Sequence, residues 1–304
     1  MRKFAAIGVI AALTLGLSAC GSSSKTPASG ATTTSAPAAA TTMGAACSNA
    51  PIPAAAADFK PTVANTLSVV TSLPGPGFWE GSDSDPTKLT SGYEYDIAQC
   101  MAKAFGLASM KVRNVSFDAI VAGTVTNYDL ALSQVSITAK RAKVVDFSDE
   151  YFESQQGVLM KAGKSITTLA EAKKLNWGVQ TATTAIDLLK SFGAKTPKSY
   201  PDLTNAYTAL EAGQVDAVLI DTAINLGQAA RSKGKLHVVA QFDQTGGPDK
   251  YGAILPKGSA NLAAVNAVFK SLKDSGALKA LTTKDLTVDP TTLRTIPIIK
   301  VPAS

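Results

Sequence analysis

The sequence predicts an α/β fold, because short apolar segments alternate with segments of helical periodicity along most of the chain. With 304 residues, 45% hydrophobic and 17% charged, the chain is long enough for about two domains with a buried core. Its 23 glycines and 15 prolines are too few for a collagen-like chain. One histidine and three cysteines exclude a histidine-rich zinc site and an all-cysteine cluster, so we predict no metal and no cofactor.

The first residues have the pattern of an export signal. Arg2 and Lys3 precede an apolar run over 4–17, which is too short to span a membrane but has the length of a signal-peptide core. The run leads into the sequence LSAC, which ends at Cys20 and resembles a bacterial lipobox, where the cysteine receives diacylglycerol. We predict a signal peptide over 1–19 and lipidation at Cys20; a plain secretory peptide with an incidental cysteine is the alternative.

Residues 20–64 are predicted to be a tether. The segment consists mostly of Ser, Thr, Ala, Pro and Gly, and it has too few large apolar groups to offset the entropy of ordering. About 40 such residues have a root-mean-square reach on the order of 35 Å. Removing the signal peptide lowers the net charge from +6 to +4, with 27 basic residues left against 23 acidic ones.

Cys47 and Cys100 remain once Cys20 is assigned to the anchor. In an oxidising compartment such a pair is expected to form a disulfide. Cys100 also lies on the apolar stripe of a predicted helix, where a free cysteine would act as a small buried hydrophobic residue. The sequence leaves both possibilities open.

Each predicted element depends on its apolar pattern and on the turn residues that bound it. Apolar and β-branched runs predict strands over 67–72, 110–115, 128–135, 158–161, 177–179, 217–220 and 236–240. Apolar residues at helical spacing predict helices over 95–105, 117–123, 169–174, 184–192, 203–212, 222–233 and 262–275. The first of these helices has its stripe at Ile97, Cys100, Met101 and Ala104, and Gly106 ends it. This alternation favours parallel sheets.

Polar residues follow three of the predicted strands, which is where ligands bind in open α/β sheets. The first group runs from Ser136 to Arg141. Its hydroxyls and guanidinium could hold a carboxylate by charge-assisted hydrogen bonds. A helix cap at Thr138 beside a solvated arginine explains the same pattern.

The second group, Thr183 and Thr184, begins a predicted helix. Thr184 and Asp187 have the spacing of a capping box, and the same helix start could receive an anion. The third is Asp221, whose carboxylate could pair with an ammonium group or cap the following helix. Together, an arginine, a hydroxyl-rich helix start and an aspartate are the groups needed to hold an α-amino acid by both charged ends.

Over about 67–281 the chain resembles the extracytoplasmic solute-binding proteins of the polar amino-acid ABC transporter group, bacterial solute-binding protein family 3. Each matching segment is short, and the resemblance depends on their order and spacing. In chain order the segments are 92–98 (GYEYDIA), 117–118 (FD), 128–130 (YDL), 136–141 (SITAKR), 144–148 (VVDFS), 151–154 (YFES), 178–180 (GVQ), 183–184 (TT), 213–217 (GQVDA) and Asp221.

The resemblance implies a role for each candidate that holds the ends of the ligand. Arg141 would clamp the α-carboxylate, helped by Ser136 and by backbone amides near Thr183 and Thr184. Asp221 would hold the α-ammonium group.

The resemblance also implies the residues that surround the ligand side chain. Phe117 would line the side-chain pocket, and Gln134 would face the ligand amine. The family often places a stacking aromatic residue after the first strand, so Phe78 or Trp79 would take that role here, or the pocket would be wider. Glu80 is the one further carboxylate expected on the cleft side.

The fold implied by the resemblance is the two-lobed type II periplasmic-binding fold, with interleaved lobes and a ligand cleft between them. Lobe one would combine 65–155 with 252–304, and lobe two would be 156–251. The chain would cross between the lobes near 155–159 and 250–254, where bending would close the cleft.

The implied function is a lipid-anchored receptor on the extracytoplasmic face of the membrane. It would be a monomer that delivers a free amino acid to ABC permease subunits and their ATPase. Two alternatives remain: a periplasmic cyclohexadienyl dehydratase-like enzyme on the same fold, with Glu80 or Asp221 as the acid, and an amino-acid-sensing module. Nucleic acid is excluded as a partner, because the basic residues Lys140, Arg141 and Lys143 lack interleaved aromatic residues and the chain is exported.

Overall fold

The computed structural model describes these stretches of the chain: residues 43–244, 247–286, 293 and 295–302. The predicted signal peptide over 1–19 and the predicted lipidation at Cys20 lie outside them. No helix within the described stretches is long and apolar enough to cross a membrane.

Short strands and helices alternate along the chain. The strands are β1 (Thr66–Thr71), β2 (Ser109–Asn114), β3 (Leu130–Ala131), β4 (Val145–Phe147), β5 (Phe152–Ser154), β6 (Gln156–Lys161), β7 (Trp177–Gln180), β8 (Lys198–Tyr200), β9 (Ala217–Asp221), β10 (Leu236–Asp243), β11 (Asp249–Tyr251), β12 (Ile254–Pro256) and β13 (Ile298–Lys300). The α-helices are α1 (Tyr93–Ala104), α2 (Phe117–Val121), α3 (Leu169–Ala172), α4 (Thr184–Ser191), α5 (Leu203–Glu211), α6 (Thr222–Arg231), α7 (Leu262–Asp274) and α8 (Ala277–Asp285).

Two sheets form the centres of two lobes. The first has the order β2-β1-β3-β12-β4, in which β1 is parallel to β2 and β3. The second has the order β13-β10-β6-β9-β7-β8, in which β6 is antiparallel to its neighbours and β7 is parallel to its own. Because β12 belongs to the first sheet but follows β6 to β10 of the second sheet in sequence, lobe one is built from separated parts of the chain. The predicted α/β class is confirmed.

The chain crosses between the lobes at the antiparallel pair of β5 and β11. Tyr251 pairs there with Phe152, and Asp249 pairs with Ser154. The first crossing was predicted near 155–159, but residues 156–159 belong to β6, which is hydrogen-bonded inside the second sheet. The crossing therefore lies a few residues earlier.

Successive side chains of the central strands pack on opposite faces of each sheet. Val69 and Val70 of β1 belong to different apolar clusters, and so do Val158 and Leu159 of β6. All four are buried. Both sheets are therefore covered on two faces, which explains why their sequences are nearly continuous apolar runs rather than alternating ones.

The start of α1 holds the turn that follows β1. Gly92 has φ 121° and stands directly before the helix, where a Cβ atom would lie 2.4 Å from the carbonyl oxygen of Phe78. The backbone N–H of Glu94 donates to that same carbonyl at 3.1 Å. Only glycine allows this close approach. The turn is thereby held against the N-terminus of α1.

Residues 43–64 were predicted to be part of the tether, and this prediction is wrong. Met43 is buried, Phe59 stacks on Phe105 with ring centroids 3.9 Å apart, and Cys47 forms a disulfide with Cys100 at a Cα–Cα distance of 6.1 Å. In the chain-entropy treatment, a disulfide across 53 residues reduces the entropy of the unfolded chain, and this destabilises the unfolded state by about 4 kcal/mol at room temperature. The few large side chains of this segment are therefore enough to order it, because Met43, Cys47 and Phe59 belong to the same buried apolar cluster as α1.

Two further boundaries differ from the prediction. Residues 298–300 were assigned to lobe one, but β13 is parallel to β10 in the sheet of lobe two. The predicted strand over 128–135 is a strand only at Leu130–Ala131. After it the chain turns away from the sheet, and Gln134 takes φ 50°. That turn brings polar side chains to the space between the lobes.

Candidate functional site

Side chains from both lobes line one small cavity. Lobe one contributes Ser72, Pro74, Phe117, Ser133, Gln134, Ser136 and Arg141, and lobe two contributes Gln180, Thr183, Thr184, Leu203, Ile220, Asp221 and Ile224. The free space between them measures about 10 Å³, which is room for about one water molecule. The structure thus brings together seven of the ten predicted ligand-binding residues: Arg141, Asp221, Ser136, Thr183, Thr184, Phe117 and Gln134.

Arg141 is buried, with 7% of its surface exposed, so the alternative of a solvated arginine is wrong. It begins a short 3₁₀ turn, and its backbone N–H donates to Thr138 Oγ1 at 3.2 Å. Its guanidinium donates to the carbonyl oxygens of Ser136 at 2.7 Å and Ala182 at 2.9 Å. Its Cζ lies 5.4 Å from the ring centroid of Phe117. The guanidinium therefore sits between the two lobes.

The charge of Arg141 is opposed by burial and supported by acidic neighbours. Burial lowers the pKa of Arg141, while the negative charges of Asp249 and Asp221 raise it. Because an arginine side chain remains protonated in proteins, the cavity contains a permanent positive charge.

The start of α4 forms the opposite wall of the cavity. The predicted capping box of Thr184 and Asp187 is absent, because the N-cap is Thr183 and it makes no side-chain cap hydrogen bond. The Thr183 hydroxyl donates instead to the Gln180 carbonyl at 2.7 Å. Ala182, just before the helix, has φ 65°. The first turn of α4 therefore faces the cavity without a side-chain cap.

Asp221 ends β9 and is 3% exposed. It stands at the N-cap position of α6, but its side chain makes no cap hydrogen bond, so the capping alternative is wrong. Its Oδ1 is buried, and among the described residues no donor makes a hydrogen bond of good geometry to it. Burial raises the pKa of Asp221 well above its usual range and the charge of Asp249 adds to this rise, while the nearby Tyr251 hydroxyl and the charge of Arg141 oppose it. The second lobe thus presents a buried carboxylate with an open acceptor.

Asp249 is a nearby charged residue that the sequence interpretation missed. Its Oδ2 accepts hydrogen bonds from Gln156 Nε2 at 2.6 Å and from Thr184 Oγ1 at 3.2 Å, so it connects β11 to the start of α4. A three-residue strand has almost no sequence signal, and no pattern marked this aspartate. Within the described stretches no cluster of three or more His, Cys, Asp or Glu residues could hold a metal ion.

Phe78, Trp79 and Glu80 do not line the cavity, contrary to the prediction. Phe78 and Trp79 are completely buried in the core of lobe one. The turn after β1 folds back on itself, because the backbone N–H of Trp79 donates to the Gly75 carbonyl at 2.8 Å. This turn directs the rings of Phe78 and Trp79 inward. Glu80 accepts from the Gly77 N–H at 2.6 Å and forms an ion pair with Arg231.

Contacts between the lobes surround the cavity. Arg231 of α6 reaches Glu80 at 2.5 Å and Asp83 at 2.8 Å in lobe one. Gly227, on the same helix, packs so closely that a Cβ atom would lie 2.8 Å from the carbonyl carbon of Pro76. The lobes are therefore in direct contact, and a molecule larger than water enters only when they separate or their side chains move.

The sequence model of one protein family, the bacterial extracellular solute-binding proteins of family 3, matches residues 81–286. This chain belongs to that family. Its sequence is similar to the ABC transporter glutamine-binding protein of Bacillus subtilis, with 31% identity over 220 residues that cover 66% of this chain and 74% of the relative. The L-cystine-binding protein of Escherichia coli K12 is 29% identical over 212 residues, covering 68% of this chain and 78% of the relative.

Solved structures show the same fold for this family 3 protein. An ancestral arginine-binding protein bound to glutamine matches with a TM-score of 0.64 and 28% identity, covering 73% of this chain and 98% of that one. The arginine-, lysine-, histidine-binding protein of Geobacillus stearothermophilus matches with a TM-score of 0.62 and 27% identity, covering 75% and 98%. The predicted family and its two-lobed type II periplasmic-binding fold are confirmed.

Proposed function

We propose that this protein captures a free amino acid between its lobes and delivers it to an ABC importer. The observation that carries the proposal is the pair of buried ionisable side chains in one cavity, the basic Arg141 from lobe one and the acidic Asp221 from lobe two. An α-amino acid carries an ammonium group and a carboxylate on the same carbon atom, so a single ligand can satisfy both side chains.

The α-carboxylate would bind at Arg141. The guanidinium now donates to two backbone carbonyls, and a carboxylate is a stronger acceptor for its planar pair of N–H groups. The uncapped start of α4 lies across the cavity and has backbone N–H groups for the same anion.

The α-ammonium group would bind at Asp221. Among the described residues, its buried Oδ1 accepts no hydrogen bond of good geometry, which is costly in the unliganded protein. An ammonium group would donate to that oxygen and neutralise the charge. Gln134 lines the same cavity, and the oxygen of its side chain or of its backbone could accept a hydrogen bond from the ammonium group.

Ligand binding would stabilise the closed arrangement of the lobes. The carboxylate site belongs mainly to lobe one and the ammonium site to lobe two, so a bound amino acid contacts both lobes only when they are together. A ligand that binds the closed state more tightly than the open state shifts the population towards closure. The crossing pair of β5 and β11 is the segment about which the lobes would move.

The lining leaves no further charge for the ligand side chain. Besides Arg141 and Asp221, the cavity lining consists of hydroxyl, amide and apolar residues. We therefore expect an uncharged amino acid to bind more tightly than aspartate, glutamate or lysine. Relatives are named for glutamine, cystine, arginine and histidine.

A thermal-shift panel of the twenty amino acids tests the proposal, since a ligand that binds only the folded protein raises its melting temperature. We expect at least one uncharged amino acid to raise it in a concentration-dependent way. If none does, amino-acid capture is wrong. Turnover of prephenate or arogenate would support the dehydratase alternative, although its candidate acid Glu80 is held outside the cavity by Arg231.

We also propose that lipidation at Cys20 holds this monomeric receptor at the extracytoplasmic face of the cell membrane, beside the permease subunits and their ATPase. The support is the lipobox-like sequence and the family, whose members are extracellular solute-binding proteins. The test is detergent phase partitioning of the full chain expressed in a bacterium. We expect the wild type in the detergent phase and the Cys20→Ala variant in the aqueous phase; an aqueous wild type would contradict the anchor.

A further inference from the structure

Glu94, in the first turn of α1, is a completely buried carboxylate outside the cavity. Its Oε1 accepts from the Gln134 backbone N–H at 2.8 Å and from the Tyr151 hydroxyl. Its Oε2 accepts from Trp79 Nε1 at 2.7 Å and from the Gln134 side-chain amide. One carboxylate therefore joins four donors from three other segments of lobe one.

Two of these donors belong to Gln134, which lines the cavity. Gln134 has φ 50°, a left-handed conformation that is unusual for a residue with a side chain. Such a conformation persists only where the surroundings hold it. Glu94 binds both the main chain and the side chain of Gln134, so it supplies that constraint directly.

A third donor, Tyr151, connects Glu94 to the crossing between the lobes. Tyr151 directly precedes β5, and its backbone N–H donates to the carbonyl of Tyr251 in β11 at 3.0 Å. Its ring stacks on Phe269 with centroids 5.2 Å apart, so it cannot turn freely. The same carboxylate thus contacts the cavity wall and the beginning of the crossing strands.

Within the described stretches, no lysine or arginine pairs with Glu94. The titratable groups that face it are the phenols of Tyr93 and Tyr151, and burial raises the pKa of both, so they stay neutral near pH 7. Burial also raises the pKa of Glu94 to about 7, although its hydrogen bonds oppose this. Small changes of pH around neutrality therefore change its charge.

We propose that Glu94 is a positioning residue for ligand binding: its ionised carboxylate holds Gln134 in the cavity wall and ties it to Tyr151 at the lobe crossing. This inference rests on the proposed function, in which the ligand is a free amino acid. When Glu94 takes up a proton, one oxygen becomes a donor. The Tyr151 hydroxyl can reverse its role and accept that proton, and so can the Gln134 side chain if its amide rotates, while the Trp79 indole N–H and the Gln134 backbone N–H lose a charged acceptor.

The first test is the pH dependence of affinity, measured by calorimetry between pH 5.5 and 8.5. The first probe is L-glutamine, followed by any amino acid that raises the melting temperature. In the wild type we expect the dissociation constant to rise about tenfold as the pH falls through 7, the factor for loss of one charge-assisted hydrogen bond. In Glu94→Gln the affinity should be low throughout. Because Asp221 also titrates in both proteins, the difference between the two profiles should contain the step near pH 7.

Tyr151→Phe distinguishes positioning from a merely structural role. This change removes one donor to Oε1, which raises the pKa of Glu94 further, so the midpoint of the affinity profile should move to higher pH. The matched control is Asp129→Asn. Asp129 is also a buried lobe-one carboxylate, but it accepts from the backbone of Thr62 and Ser68, away from the cavity. Its substitution should leave the midpoint unchanged.

Hydrogen exchange of the unliganded protein tests the contact without any ligand. We expect faster exchange in peptides that cover Gln134 and Tyr151 in Glu94→Gln, and no such change there in Asp129→Asn. Unchanged exchange around Gln134, or an affinity and pH profile of Glu94→Gln within twofold of the wild type, overturns the proposal. If no amino acid binds but exchange changes as expected, the proposed function fails and the Glu94 contact stands.

Discussion

Two buried carboxylates, one in each lobe, differ in what surrounds them. The carboxylate of Glu94 in lobe one accepts four hydrogen bonds. Among the described residues, Oδ1 of Asp221 in lobe two has the Tyr251 hydroxyl nearby but accepts no hydrogen bond of good geometry. Burial raises the pKa of both groups. The saturated carboxylate organises its neighbours, and the unsaturated one is free to bind something that arrives. A buried charge therefore indicates a ligand site when its partners are missing, not merely because it is buried.

The largest expected effect is on ligand affinity. Asp221→Asn and Arg141→Ala should each weaken binding by about 3 to 5 kcal/mol, because the remaining charge of the ligand is left unpaired in a closed cavity. Calorimetry with the amino acid found in the thermal-shift panel measures this. Asp129→Asn should bind normally. An unchanged affinity in either variant removes that residue from the binding site.

The next effect is the pH dependence of stability that Glu94 causes. Its pKa is about 7 in the folded protein against 4.5 for an unperturbed glutamate. Between these values the folded state binds more protons than the unfolded chain, so the free energy of unfolding falls as pH rises from 4.5 to 7. The fall is on the order of 3 kcal/mol.

Urea denaturation of the wild type and of Glu94→Gln at several pH values checks this. The buried Asp221 is present in both proteins and contributes a fall of the same sign, so the difference between the two curves reports Glu94 alone. Stability and ligand affinity should then change in opposite directions near pH 7. A flat difference curve would show that Glu94 titrates like an exposed glutamate.

A smaller effect is expected on the stability of the unliganded protein, where the buried carboxylates of Asp221 and Asp129 should respond differently to substitution. Asp221→Asn removes a buried, unpartnered charged oxygen and should raise the free energy of unfolding by about 1 to 3 kcal/mol at alkaline pH. Asp129→Asn, which weakens two satisfied hydrogen bonds, should lower it. If Asp221→Asn is destabilising, its carboxylate has a partner that holds it in the folded protein.

The smallest expected effect concerns the ion pairs of Arg231 with Glu80 and Asp83 across the lobes. Their side chains are 28%, 35% and 61% exposed, so the pairs contribute about 1 kcal/mol or less. Arg231→Ala should favour separated lobes, which small-angle scattering of the unliganded protein would detect as a larger radius of gyration. Lys88→Ala removes an ion pair with Asp85 inside lobe one and should leave the radius unchanged.

Strand ends allowed much of the site to be predicted. Arg141 and Asp221 follow buried strands, and the carboxyl ends of strands meet where ligands bind. Phe78 and Trp79 were placed wrongly, because the direction of an aromatic ring after a strand depends on how the turn folds back. Asp249 had no signal, since it lies in a three-residue strand whose pairing partner is distant in sequence.

The α/β class, the family and seven of the fourteen residues that line the cavity could be read from the sequence, because periodicity, strand ends and short motifs are visible along the chain. The packing of residues 43–64, the pairing of Cys47 with Cys100 and the place of β13 in lobe two became clear from the tertiary structure. The tertiary structure is also the basis of the role proposed for Glu94; the motif that contains this residue was recognised in the sequence, but the sequence indicated no role for Glu94. The partners of that carboxylate are Trp79, Gln134 and Tyr151. They are distant from one another in sequence and are brought together by tertiary packing, so no local sequence pattern predicts their contact.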